Sequence, residues 1–334
     1  MRLVQIYHPE EGRKIAFVEE PNLRLIDKFT SVYELAAFVI ESGRLLSKLI
    51  NDYLSDKLLE YDTIYHGTSE WQLLPAFDHP TNVNNLMLAG TGLTHKASAE
   101  NRQKMHEAAA ESDVTDSMKI YFMGVEGGKP EKGEIGIQPE WFYKGNGSVL
   151  KAHGQPLKIP NYGNDGGEEP EIAGIYINDK NGTPWRIGFA TANEFSDHVM
   201  ERKNYLYLAP SKIRNCSIGP ELNITEDFNN ISGKVQVFRN GKALWEKSIK
   251  TGESNMSHSL ENLEYHHFKY ENHCLPNQAH IHFFGADAFS FGEGIALQQD
   301  DEMLVQWYGM GRALINPLTI KSDKEVMISV NKLQ

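Results

Sequence analysis

Cysteine is nearly absent: the 334-residue chain has two, Cys216 and Cys274. Two cysteines make no disulfide framework, although a single bridge stays open, and they fit a reducing compartment. Long apolar runs are missing too. No stretch approaches the roughly 18 apolar residues of a membrane span. The opening MRLVQIYHPEEGRKIAFVEE turns charged too soon for a signal peptide. The expectation is a cytoplasmic protein with no membrane partner. Positive charge is in deficit, 33 Lys and Arg against 45 Asp and Glu, a net charge of −12. Such a chain carries no electrostatic footprint for nucleic acid or an anionic bilayer. Also missing are Cys-x-x-Cys, His-Glu-x-x-His, a P-loop and a Gly-x-Gly-x-x-Gly turn behind a strand. The glycines of MGVEGGKP lack the Lys-Ser/Thr ending of a phosphate loop.

What is present is an ordinary globular composition, 40% hydrophobic and 23% charged, enough to build a core. Residues 1–28 alternate in short apolar runs around HPEEGR and read as a β-hairpin. TSVYELAAFVIESGRLLSKLINDYL reads as a helix pair, with Thr30 or Ser31 as N-cap, Glu34 placed for a capping box and Gly43 as the break. Pro75 and Pro80 mark a boundary near residue 80, giving a small N-terminal domain (1–80) and a larger domain (81–334). Residues 95–116 are polar and helical with little to bury, a surface helix or lid. From residue 117 onward short strands and Gly/Pro/Asn turns dominate, with helices near 199–209 and 257–270. The fold class expected is α+β, predominantly β.

Three groups of residues carry possible chemistry. DGGEEPEIAGIYI places Glu168, Glu169 and Glu171 against an apolar stretch. On a strand, residues i and i+2 share a face, so Glu169 and Glu171 point the same way and Glu168 is out of phase. Paired carboxylates are costly without a cation or shared proton; the bland alternative is a solvated turn, since NDGGEE has turn composition. GFATANEFSDHVMERKN adds Glu194 within an apolar run. HIHFF puts His280 and His282 on one strand face, a spacing that reads as cross-strand packing before it reads as a metal site.

The segments LLPAFDHPTNVNNLMLAGTGLTH, PEWFYKGNGSVL, EEPEIAGIY, GFATANEFSDHVMER, SKIRNCSIGP and GADAFSFGEG resemble, in order, those of the fumarylacetoacetate hydrolase superfamily, and the chain looks closest to its AraD1/GguC-like branch. The resemblance implies a mixed β-roll catalytic domain with a small N-terminal domain. It also implies a divalent cation, Mg²⁺ first with Mn²⁺ or Ca²⁺ as substitutes, on Glu169, Glu171 and Glu194, and an active-site Lys212. It puts His198, Glu201 and Gly285 on the substrate side. Glu194 replaces the family's Asp, His198 its Arg, and Phe284-Gly285-Ala286 its Thr-Gly-Thr. The family's lid His/Glu pair is not in place, leaving His95 and Glu100 nearest; His95 and His258 are acid–base candidates. The implied reaction is dehydration of a 2-keto-3-deoxy sugar acid, a 2-oxo acid, by a homodimer. Hydrolysis of an acylpyruvate C–C bond and non-catalytic sugar-acid binding are the alternatives.

Overall fold

A computed structural model describes residues 1–106 and 115–333. The expected hairpin forms from Arg2–His8 and Gly12–Glu19, and Asn22–Ile26 extends it by a third strand. The helix pair follows as Val32–Ser42 and Leu46–Tyr53. Ser31 caps the first helix through the Glu34 N–H, and Gly43 ends it at φ 63°, where a side chain would be strained. The back-bond of the cap lands one residue early: Glu34 Oε2 accepts from the Thr30 N–H at 2.9 Å.

Most strands belong to one large mixed sheet. Its order is Leu54–Glu60, Asn22–Ile26, Gly12–Glu19, Arg2–His8, Cys216–Asn223, Pro184–Asn193, Pro170–Asn178, Ala279–Phe283, Leu86–Gly90 and Phe142–Asn146. A five-stranded sheet, ordered Lys242–Thr251, Ile231–Arg239, Glu302–Trp307, Leu314–Ile320 and Leu157–Ile159, packs against it. Val235, Val305 and Trp307 from the smaller sheet share a core with Ile172 and Phe189 from the larger. Every residue of Pro170–Asn178 is buried, which is why its apolar residues run consecutively instead of alternating.

The larger sheet runs across residue 80. Leu3 pairs with Leu222, and Leu3, Ile15, Phe29 and Val32 share one core with Ala173, Ile175 and Ile281. The helix expected to be polar and superficial is Lys96–His106, but Ala99 is buried and Arg102 turns inward. Residues 107–114 of the expected lid lie outside the described residues. Cys216 and Cys274 are both free thiols.

Candidate metal centre and cleft

Glu169 and Glu171 flank the first residue of the central strand, and Glu194 follows the last residue of its neighbour. Antiparallel pairing sets Glu171 opposite Ala192, and the ladder continues past the strand ends: Glu194 N–H donates to Glu169 C=O at 3.0 Å, and Gly167 and Ser196 exchange hydrogen bonds. Phe195 adopts φ 33°, a backbone region costly for an aromatic residue, between Glu194 and Ser196. All three carboxylates are buried, and one oxygen from each lies within 4.8 Å of the others.

Two buried lysines face them. Lys212 Nζ donates to Glu169 Oε1 at 2.6 Å and to Glu194 Oε2 at 2.7 Å. Lys144 Nζ lies 2.5 Å from Glu194 Oε1 and donates to the Phe195 carbonyl. Ser196 Oγ donates to Glu194 Oε2, and the Gly285 N–H donates to Glu171 Oε2 at 2.7 Å. His198 Nε2 is 3.1 Å from Glu169 Oε1, and its ring stacks on Phe289 and Phe291.

The electrostatics are uneven. Burial raises the Glu171 carboxyl well above its usual range, and the charges of Glu194 and Glu169 push the same way. Glu194 is raised by burial, against the pull of Lys144 and Lys212. Glu169 is also buried, but Lys212 and His198 hold it well below the carboxylate range. Burial opposes charge on Lys212, yet Glu169 and Glu194 outweigh it and keep the ammonium protonated. If all three acids are ionised they exceed the two lysines by one negative charge, and Glu171, raised well above its usual range, is the carboxyl that needs a cation to ionise. An all-oxygen donor set with surplus negative charge fits a hard divalent cation, Mg²⁺ or its substitutes Mn²⁺ and Ca²⁺.

Glu168 turns away, as its strand phase predicts, and accepts from the Ser290 N–H at 2.6 Å and its hydroxyl at 3.0 Å. Glu201 and Gly285 line the same cleft as Glu169 and His198. Glu201 is bound by Arg102, whose Nε lies 2.6 Å from it. Gly285 has φ 96°, and a Cβ there would come within 2.2 Å of Thr94 Oγ1.

Neither acid–base histidine is brought to this cluster. His95 is buried with its nitrogens facing Thr94 Oγ1 and Thr251 Oγ1, not the carboxylates, and burial pushes its pKa down to about 3. His258 bonds Asn262 and packs against Gly124, with burial lowering it to about 4. His280 and His282 sit on Ala279–Phe283, opposite Tyr176 and Gly174. They pack with His267 and His273 in a buried imidazole cluster, away from the glutamates. Glu100 pairs with Lys96 on the helix surface.

Sequence reasoning missed Lys144, Arg102 and Glu140. Phe142 and Lys144 share the inward face of Phe142–Asn146, a period-2 signal, but the partner that explains a buried lysine is fifty residues away in the chain. Arg102 also binds Glu140, at 2.6 Å, and Glu140 Oε2 is buried without a hydrogen-bond partner.

No family model and no curated protein matches the chain. Solved structures do. A 2-keto-3-deoxy-D-arabinonate dehydratase complexed with magnesium and 2,5-dioxopentanoate is 17% identical, with a TM-score of 0.70 over 97% of this chain and 100% of that one. A 2-hydroxyhepta-2,4-diene-1,7-dioate isomerase from Mycobacterium marinum is 14% identical, with a TM-score of 0.58 over 97% and 100%. A 5-carboxymethyl-2-hydroxymuconate delta-isomerase from Mycobacterium smegmatis is 14% identical, with a TM-score of 0.57 over 96% and 100%. The resemblance read in the sequence holds at the level of the fold: the chain has the fumarylacetoacetate hydrolase-type architecture.

Proposed function

We propose that the chain is a divalent-metal-dependent hydro-lyase that dehydrates a 2-keto-3-deoxy sugar acid such as 2-keto-3-deoxyarabonate. The observation that carries this reading is the convergence of buried Glu169, Glu171 and Glu194 beside a protonated Lys212. The neighbour of this fold crystallised with magnesium and 2,5-dioxopentanoate supports it. A divalent cation on these carboxylates would supply Lewis acidity toward the carboxylate and keto oxygens of a 2-oxo acid, easing the build-up of negative charge when a C3 proton is lost.

The chain's own residues supply the remaining chemistry. Glu169 and Glu194 hold Lys212 charged, so it anchors the substrate's anionic end or donates a proton, and it is a poor nucleophile for an imine. His198, charged or neutral, stays aimed at Glu169 by its stacking between Phe289 and Phe291. Glu140 offers an unpartnered buried oxygen near Gly92 at the cleft wall, placed to accept the C3 proton. The C4 hydroxyl then leaves as water with a proton from Lys212, and the C3 proton on Glu140 passes to solvent. The proposed assembly is a homodimer, which light scattering measures.

The test is incubation of the protein with Mg²⁺ and a panel of 2-keto-3-deoxy sugar acids and acylpyruvates, with the products identified. The expected result is loss of water from a sugar acid, abolished by EDTA. Release of pyruvate from an acylpyruvate, or turnover unaffected by EDTA, contradicts the reading.

A further inference from the structure

Beside the glutamate cleft lies a second chamber. The two share Leu93, Arg102 and Glu201 as a common wall. The chamber has a volume of about 280 Å³. A single water needs only about 15 Å³ on that scale, so the chamber admits a chain of several atoms. Its other walls are Ile120, Leu208 and Tyr205, with the hydroxyls of Thr115 and Ser117 at the start of helix Asp116–Gly127.

The charge of the chamber is one-sided. Among the described lining residues Arg102 is its only cation, and two carboxylates already engage it, the half-buried Glu140 and the buried Glu201, each at 2.6 Å. Burial disfavours the Arg102 charge, yet those two acids outweigh it and raise its pKa. Asp116 adds a third carboxylate at the exposed rim, where Lys119 and solvent screen it. A substrate held by its carboxylate and keto group at the glutamate cluster projects its far end into a chamber where acids outnumber bases. A second carboxylate or a phosphate ester there finds no free cation among the described lining residues and is repelled. A hydroxymethyl or methyl end finds aliphatic walls and two hydroxyls.

Resting on the 2-oxo-acid reading above, we infer that the substrate is a 2-oxo monocarboxylate with an uncharged far end. The chamber excludes diacids and phosphorylated sugar acids, by repulsion as much as by lack of attraction.

Calorimetric titration of the full chain in Mg²⁺ tests this with three ligands: oxalate, 2-oxohexanoate and 2-oxoadipate. Oxalate reports the glutamate cluster alone. The expected result is that oxalate binds and that 2-oxohexanoate binds at least about tenfold more tightly than 2-oxoadipate. Ser117→Arg, which places a cation on the chamber wall, is expected to close or reverse that gap while oxalate affinity stays within about twofold. Equal or tighter binding of 2-oxoadipate by the unmodified chain overturns the inference and leaves the metal reading standing if oxalate binds. An unchanged preference in a folded Ser117→Arg protein overturns the electrostatic account. Failure of oxalate to bind in Mg²⁺ overturns the 2-oxo-acid reading and this inference with it. Circular dichroism establishes that the variant folds; if it does not, the ratio measured on the unmodified chain decides.

Discussion

Glu171 is the residue on which the site's charge imbalance falls. Among the described residues its side chain has one hydrogen-bond donor, the Gly285 N–H, while Glu169 and Glu194 share Lys212. Without a cation its buried charge is a liability; with one it is a ligand. Glu171→Gln is therefore expected to have opposite effects in two conditions. In EDTA the variant melts at the same temperature as the parent or higher, by up to roughly 1 kcal/mol of added stability. In Mg²⁺ the thermal shift expected of the parent is absent from the variant. Differential scanning calorimetry with and without Mg²⁺ reads both; a retained Mg²⁺ shift in Glu171→Gln contradicts the ligand assignment. At this scale the sequence was legible where strand phase applied: Glu169 and Glu171 converge and Glu168 does not. His95 and His258 stand out by chain position alone, and nothing local distinguishes a histidine facing the cleft from one bonded to threonine or asparagine.

Two elements bear on the site indirectly. The loop after Ala279–Phe283 presents the Gly285 N–H to Glu171 and approaches Thr91 and Thr94 so closely that only glycine fits. Gly285→Ala is expected to cost about 1–3 kcal/mol, from a positive φ and the collision with Thr94, and to weaken Mg²⁺ binding by freeing the Glu171 side chain. Urea denaturation and Mg²⁺ titration check the two effects; parental stability in this variant contradicts the geometry. The strand itself carries His280 and His282 in the imidazole cluster. Burial pushes both down to about 3. His282 bonds Thr91 Oγ1 at 2.7 Å, and its other nitrogen is buried without a partner. A histidine whose folded pKa lies below its unfolded value, near 6.5, gives its full stability above that value. It loses stability as pH falls toward the folded pKa, because only the unfolded chain takes up the proton. Between pH 7.5 and 5.5, His282→Gln is expected to lose roughly 1.4 kcal/mol less stability than the parent, since the carboxylates common to both proteins cancel. Equal losses in parent and variant, measured by urea denaturation at both pH values, contradict this. The His-x-His spacing gave the right element and face. It could not show that His267 and His273, from elsewhere in the chain, complete the cluster, because that contact is tertiary.

For the whole molecule, the continuity of the large sheet governs how the chain folds. Arg2–His8 pairs with Cys216–Asn223, and N-terminal residues such as Leu3 and Val32 are buried against the strands that carry the glutamates. A fragment of residues 81–334 is expected to lack a cooperative thermal transition, because it exposes one side of that core and an unpaired strand edge. A sharp transition in that fragment, with Mg²⁺ binding, contradicts the shared core. Hairpins, helix pair and predominance of strands were readable from local periodicity and turn residues. The mixed sheet joining both ends of the chain was not, since pairings between residues 3 and 222 leave no local trace; the order of motifs carried that information through resemblance. The most direct test of the central claim is an anomalous-diffraction map of crystals grown with Mn²⁺ in place of Mg²⁺. The account predicts one strong peak at about 2.1–2.2 Å from an oxygen of each of Glu169, Glu171 and Glu194. A peak on His280 and His282 with the glutamates empty, or no peak at the glutamates at saturating Mn²⁺, would contradict it.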